Sequence, residues 1–238
     1  MTRVAVCLVL VTLAACGYRD TQPDPGIPAA APATAVAPRT AREALDRLPV
    51  KGRAPMTGYS RDKFGPAWAD VDKNKCSTRE DILGRDLRKI VRAPGEKCTI
   101  LSGVLLDPYT GQTIRFVRGP QTSEQVQIDH LVSLGNAWAT GAQQLSPAAR
   151  LALANDPINL LAVSGEQNLK KRDGDAATFL PPARGFWCQL VSRQVAAKWR
   201  YELWITPQEK AAMVRVLNSC PDQELPTSAP TKRKETDR

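Results

Sequence analysis

VQIDHLVSLGNAW (residues 126–138) and ANDPINLLAVSGEQNLKKRD (residues 154–173) decide how this chain reads. The first holds His130, the single histidine in 238 residues, so imidazole chemistry has one candidate position. Val126 and Ile128 alternate with polar neighbours and mark a short strand ending in Asp129-His130. Asn159 opens a second apolar run, Asn-Leu-Leu-Ala-Val, that reads as another strand. Further along, Asn168 falls in GEQNLKKRDG, a polar, basic segment of helical composition. Between the two strands, NAWATGAQQLSPAARLALA (136–154) reads as an inserted helix with Pro147 at a helix start.

A strand ending in Asp-His, a strand opened by Asn and a helix carrying a third polar residue resembles the ββα-metal unit of HNH nucleases. The stretch is most similar to the secreted branch of the GmrSD-type HNH endonuclease family, with its IDH-V-L--AW, ANDP-NL-AV and N--K-D segments. The likeness extends to CSTREDILGRDL (76–87) and SGVLLDPYTG (102–111), covering most of residues 59–220. It implies that His130 is a general base and that Asp129 and Asn168 bind a metal. It also implies that Asn159 hydrogen-bonds the loop backbone and holds His130. Many members carry histidine at the last ligand position; here it is Asn168, which argues against tight zinc binding.

The residue chemistry suits phosphodiester hydrolysis without the resemblance. A neutral histidine can take a proton from water. Mg²⁺ asks for oxygen ligands and keeps several waters, so one carboxylate and one amide oxygen suffice, with Mn²⁺ or another divalent ion as substitutes. Lys171, Lys170 and Arg172 are candidate phosphate contacts. Arg79 and Arg85, in the TR---L-RD pattern of the family, are either further phosphate contacts or internal partners of Asp81 and Asp86.

Residues 1–15 read as an export signal: Arg3, an apolar run from Val4 to Leu13, then Leu-Ala-Ala-Cys. The run is too short to span a bilayer comfortably. Its end resembles a bacterial lipobox, which would make Cys16 an acylated anchor at the membrane surface; an ordinary cleaved signal is the competing reading. Residues 16–40, rich in Pro, Ala and Thr, read as a tether, and 223–238 as a disordered polar tail. The stretch 41–222 is long enough for one nuclease domain with its own core.

Setting aside Cys7 and Cys16 leaves Cys76, Cys98, Cys188 and Cys220. In an oxidising compartment these make two disulfides, with three possible pairings. Cys76–Cys98 and Cys188–Cys220 are favoured because each closes a local unit. Zinc is the alternative, but no pair has Cys-x-x-Cys spacing. The formal net charge is +9, and loss of residues 1–15 removes only Arg3. A basic surface favours a polyanion, whether nucleic acid, anionic lipid or wall polymer.

ALDRLPVKGRAP (44–55) suggests a short helix and a turn. Asp70, Asp72, Asn74 and Asp81 have calcium-loop spacing, against which stand Lys75 at the glycine position and Asp at the last ligand. Ser77 and Glu80 form a candidate capping box, followed by Ile82, Leu83, Leu87, Ile90 and Val91 as one helical face. CTILSGVLL and QTIRFVRG flank Asp-Pro-Tyr-Thr-Gly as a hairpin, with Tyr109 in a structural role. Trp187, Leu190, Val191, Val195, Trp199 and Leu203 recur at helical spacing and read as core, and Pro207 starts a last helix.

The expected fold is α+β, a ββα-metal core embedded in a helix-rich domain with a small antiparallel sheet. The expected protein is an exported, lipid-anchored, metal-dependent endonuclease acting on DNA or RNA with little sequence preference. The resemblance implies 5′-phosphate and 3′-hydroxyl ends. Two other readings stand beside it: a non-catalytic envelope lipoprotein that binds polyanions, and a calcium-stabilised wall protein.

Overall fold

Two antiparallel strands, β4 (Val126–His130) and β5 (Leu160–Ser164), have nearly every side chain enclosed. The computed structural model describes residues 37–228. The expected export signal, the Cys16 anchor, residues 16–36 of the tether and residues 229–238 of the tail lie outside them.

Both faces of the β4–β5 ribbon are covered, which explains the continuous apolar run of β5. One face meets α2 (Thr78–Asp86) and a sheet of β1 (Arg88–Arg92), β2 (Ile100–Leu106) and β3 (Thr113–Val117). There Ile82, Leu87, Leu105 and Phe116 pack against Ile128 and Leu160. Each such side chain contributes roughly 1.5–3 kcal/mol through removal from water. On the other face Leu161 and Val163 meet Tyr109 and the start of α6 (Trp187–Arg200). A separate core joins α1 (Ala41–Arg47), α6 and α7 (Pro207–Leu217). The inserted segment forms α3 (Leu134–Ala139) and α4 (Pro147–Asn155), the latter capped by Ser146 with Pro147 at its start.

The architecture is α+β with small antiparallel sheets, and it departs from expectation in three places. The strands form two sheets: β1-β2-β3, and β4-β5 by itself. The helix expected through Val91 ends at Asp86, because Leu87 turns extended and residues 88–92 pair with β2 along an irregular edge. Ile90 and Val91 are β-branched and fit a strand, and Val91 is 54% exposed. The domain also runs past residue 222. Ala41 N–H donates to the Gln223 carbonyl, Leu225 N–H donates to that of Arg39, and Leu225 is buried.

Both expected disulfides are formed, Cys76–Cys98 and Cys188–Cys220. The first ties the loop before α2 to the start of β2; the second links α6 to the end of α7.

Candidate active site

β4 delivers Asp129 and His130 in register with Leu161 and Leu160 of β5. Helix α5 (Gly165–Lys171) follows β5 at once, its N-terminus capped by the Ser164 hydroxyl. A Cβ on Gly165 would lie 1.9 Å from the carbonyl oxygen of Glu124, so glycine lets α5 approach the chain leading into β4. Asn168 then donates its Nδ2 to Gln127 Oε1 at 2.9 Å. The ribbon and this helix together bring Asp129, His130 and Asn168 to one pocket of about 460 Å³.

His130 is 9% exposed and held on three sides. Its Nε2 lies 2.8 Å from the carbonyl of Ala154, one of the last carbonyls of α4. A carbonyl only accepts, so Nε2 carries the proton and Nδ1 keeps its lone pair. The inserted helix thus fixes the tautomer, a role its composition gave no hint of. Trp68 stacks on the ring, with centroids 5.7 Å apart and planes inclined at 17°. Burial, the largest influence, lowers the ring's pKa from its ordinary 6.5 to about 4, so the imidazole is neutral near pH 7. Behind it, Asn159 Oδ1 accepts from Val132 N–H at 2.8 Å and its Nδ2 donates to the Val132 carbonyl at 3.1 Å. Gln194 adds a bond to the Leu131 carbonyl.

Asp129 is 5% exposed and already paired. Its Oδ1 accepts from Lys171 Nζ at 2.9 Å and its Oδ2 from the Tyr109 hydroxyl at 2.5 Å. Lys171 also donates to the His130 carbonyl at 2.8 Å. Burial, with Asp129 adding to it, raises the Tyr109 hydroxyl well above its ordinary pKa, so it stays a donor. The pocket wall further includes Arg61, Arg79, Arg172 and Asp173. With Asp129 offset by Lys171, three guanidiniums face one remaining carboxylate. That balance suits a phosphate.

The model of the GmrSD restriction endonuclease C-terminal domain matches residues 77–216, the stretch that contains Tyr109, Asp129, His130, Asn159, Asn168 and Lys171 but neither Arg61 nor Trp68. The chain belongs to that family. A secreted fungal protein of Arthroderma benhamiae, described as uncharacterized, is 37% identical over 183 residues, covering 76% of this chain and 85% of the relative. No solved structure matches the chain.

Within this GmrSD-type domain the expected phosphate contacts divide. Arg79 and Arg172 line the pocket, Arg79 with Nη2 turned 3.5 Å from the Val126 carbonyl. Lys171 does not serve as a phosphate contact, since its ammonium is enclosed beside Asp129. Arg85 is likewise structural: it grips Asp86 with two nitrogens and donates to the carbonyls of Pro157 and Leu160. Lys170 is exposed and pairs with Glu166 one turn back. The calcium-loop residues turn inward on themselves, with Asn74 Nδ2 donating to Asp72 and Asp81 where a cation would sit. Among the described residues no group of three or more His, Cys, Asp or Glu side chains is placed to hold a metal.

Several contributors were missed, Arg61 of the pocket wall among them. Tyr109 reaches Asp129 from the hairpin turn, across 20 positions of chain. Trp68 sits in a loop whose sequence carries no periodic signal. Asp173 was legible, since it closes the N--K-D segment; its carboxylate sits against Gly135, where an added Cβ would lie 2.5 Å from its Cγ.

Proposed function

We propose that this protein is an exported nuclease that hydrolyses phosphodiester bonds in the pocket around His130, with DNA or RNA as substrate. The observation that carries the reading is the His130 ring. Its Nε2–H is committed to Ala154, its Nδ1 lone pair has no hydrogen-bond partner among the described residues, and it lines an arginine-bearing pocket.

His130 takes a proton from the attacking water at Nδ1 as the water oxygen bonds to phosphorus. The 3′ oxygen leaves and is protonated from solvent, giving 5′-phosphate and 3′-hydroxyl ends. Arg61, Arg79 and Arg172 offset the charge that builds on the phosphate oxygens. A phosphate entering the pocket also favours the imidazolium, which strengthens a ring that burial, with the charges of Arg61 and Lys171 adding to it, holds as a weak base.

The donor set fits a hard divalent cation such as Mg²⁺ or Mn²⁺ through Asp129 and Asn168. Each Asp129 oxygen accepts one hydrogen bond, and a carboxylate offers about four acceptor sites. Asn168 spends its amide nitrogen on Gln127, leaving its oxygen as the ligand. Such an ion, when bound, supplies charge stabilisation to the phosphate and leaving oxygen.

Export is supported by the signal-like residues 1–15, by the two disulfides and by the description of the fungal relative as secreted. A lipid anchor at Cys16 is part of the proposal and rests on the Leu-Ala-Ala-Cys pattern alone.

A second reading, a polyanion-binding module without catalysis, draws on one specific observation: Lys171 already occupies Asp129. Relaxation of supercoiled plasmid by the purified protein separates the two. Nicking in Mg²⁺ or Mn²⁺ and none in EDTA is the expected result. No cleavage of DNA or RNA by disulfide-intact protein across several divalent metals, with binding undiminished by chelator, contradicts the nuclease reading.

A further inference from the structure

A second cleft, of about 980 Å³, opens between strands β1 and β2, one side of β5 and the start of α6. It shares no lining residue with the His130 pocket. Its volume is in the range of sites for small organic ligands, roughly 300–1,000 Å³.

Arg193 of α6 forms part of its wall and is 2% exposed. Nε donates to the Ile158 carbonyl, and Nη2 donates to the carbonyls of Pro157 and Leu160. These acceptors are neutral. Nη1 has no partner among the described residues, and no carboxylate there lies within ion-pair distance of Arg193. Asp86, the nearby acid in the wall, is spent on Arg85. Asp107, the other acid, accepts from the backbone of Tyr109, Thr110 and Ser164 and from the Thr110 hydroxyl. Asp86 and Asp156 act on Arg193 only from a distance, while Arg85 repels it. A buried cation with no carboxylate in contact is costly, and an anion in the cleft would lower that cost.

Two independent features point the same way. Phe186 and Gln189 bring the N-terminal end of α6 to the cleft; this 14-residue helix has no side-chain cap and no acidic residue in its first turn. Helix N-termini favour anions. Arg88, Lys89 and Arg92 stand exposed on the opposite wall. The rest of the lining is apolar, chiefly Leu87, Leu105, Leu106, Leu161 and Phe186.

We propose that this cleft binds a small anion whose phosphate or carboxylate head sits among Arg193, Arg88 and the start of α6. An apolar or aromatic body lies on the leucine and phenylalanine wall. The site is distinct from the nuclease pocket, and its proof does not depend on cleavage.

Isothermal titration of the purified full-length protein tests it, with octanoate and adenosine 5′-monophosphate as probes and octanamide and adenosine as their uncharged counterparts. One-to-one binding of a charged probe is expected, weaker by about tenfold or more for its uncharged counterpart. Arg88→Ala with Lys89→Ala, both on the surface, should weaken binding by about tenfold. Amide NMR shifts on binding should centre on Gly111 and Gly185 of the cleft. Three results overturn the proposal: no binding of either charged probe, equal binding of charged and uncharged forms, or binding that survives the double substitution and shifts Asn168 and Leu169 instead.

Discussion

Lys171 Nζ lies 2.9 Å from Asp129 Oδ1, and the two side chains are 1% and 5% exposed. This ion pair joins the end of α5 to the end of β4. It sets the orientation of Asp129 before any substrate or metal arrives. Breaking a buried pair from one side leaves the other charge uncompensated, which costs about 3–5 kcal/mol. Lys171→Met should therefore lower stability by that order in urea unfolding. Adding Asp129→Asn to it should recover part of the loss, whereas a single-variant cost under about 1 kcal/mol would show the pair to be incidental.

His130 gives a pH prediction that can be read without interference, because no other histidine is present. Its folded-state pKa is about 4 against an ordinary 6.5. Between those values the unfolded chain binds a proton that the folded ring refuses. The stabilisation is thus complete above about pH 6.5 and is lost as pH falls toward 4, in total about 3 kcal/mol. Proton NMR of the imidazole should show a midpoint near 4, and His130→Gln should flatten the acid side of the stability curve. A midpoint at 6.5 would mean that the ring is open to water.

Gly165 sits where a side chain has no room, 1.9 Å from the Glu124 carbonyl to a built Cβ. Gly165→Ala must push α5 away from β4. It should cost about 1–3 kcal/mol, a fall of several degrees in melting temperature. The same displacement should move Asn168 and slow cleavage beyond what the stability loss explains. An alanine variant with native melting temperature and rate would refute the close approach.

The two disulfides should separate in their effects. Each closes a loop of 22 or 32 residues and is worth about 3 kcal/mol by chain entropy. Cys76–Cys98 in addition anchors the loop that carries Trp68 onto His130, with Thr78 N–H donating to the Trp68 carbonyl. Replacing both of these cysteines by serine should change the His130 resonance and the cleavage rate. Replacing Cys188 and Cys220 should lower stability with the rate per folded molecule unchanged.

The site's inner frame was legible because its signals are local. Val126-x-Ile128 before Asp129-His130, the apolar run of β5 and the helical composition around Asn168 each declare their element within a few residues. The cysteine pairing followed for the same reason. What was not legible depends on contacts between distant segments. Lys171 looks like a surface cation in sequence, yet it meets the Asp129 carboxylate and the His130 carbonyl brought to it by the fold. The pairing of Arg85 with its neighbour Asp86 is one of the two readings open in the sequence, but its bonds to the carbonyls of Pro157 and Leu160 were not legible. The carbonyl of Ala154 can hold His130 only because α4 folds back over β4, and no side-chain pattern encodes that. Tyr109 read as a turn residue, but the hairpin aims it at Asp129.

The most direct measurement is the rate of plasmid cleavage by His130→Gln beside the unaltered protein, under one metal condition and with folding confirmed by melting temperature. Loss of the general base is expected to slow cleavage by about 10²–10⁴-fold, with DNA binding retained. A folded His130→Gln protein that cleaves at the original rate would contradict the account.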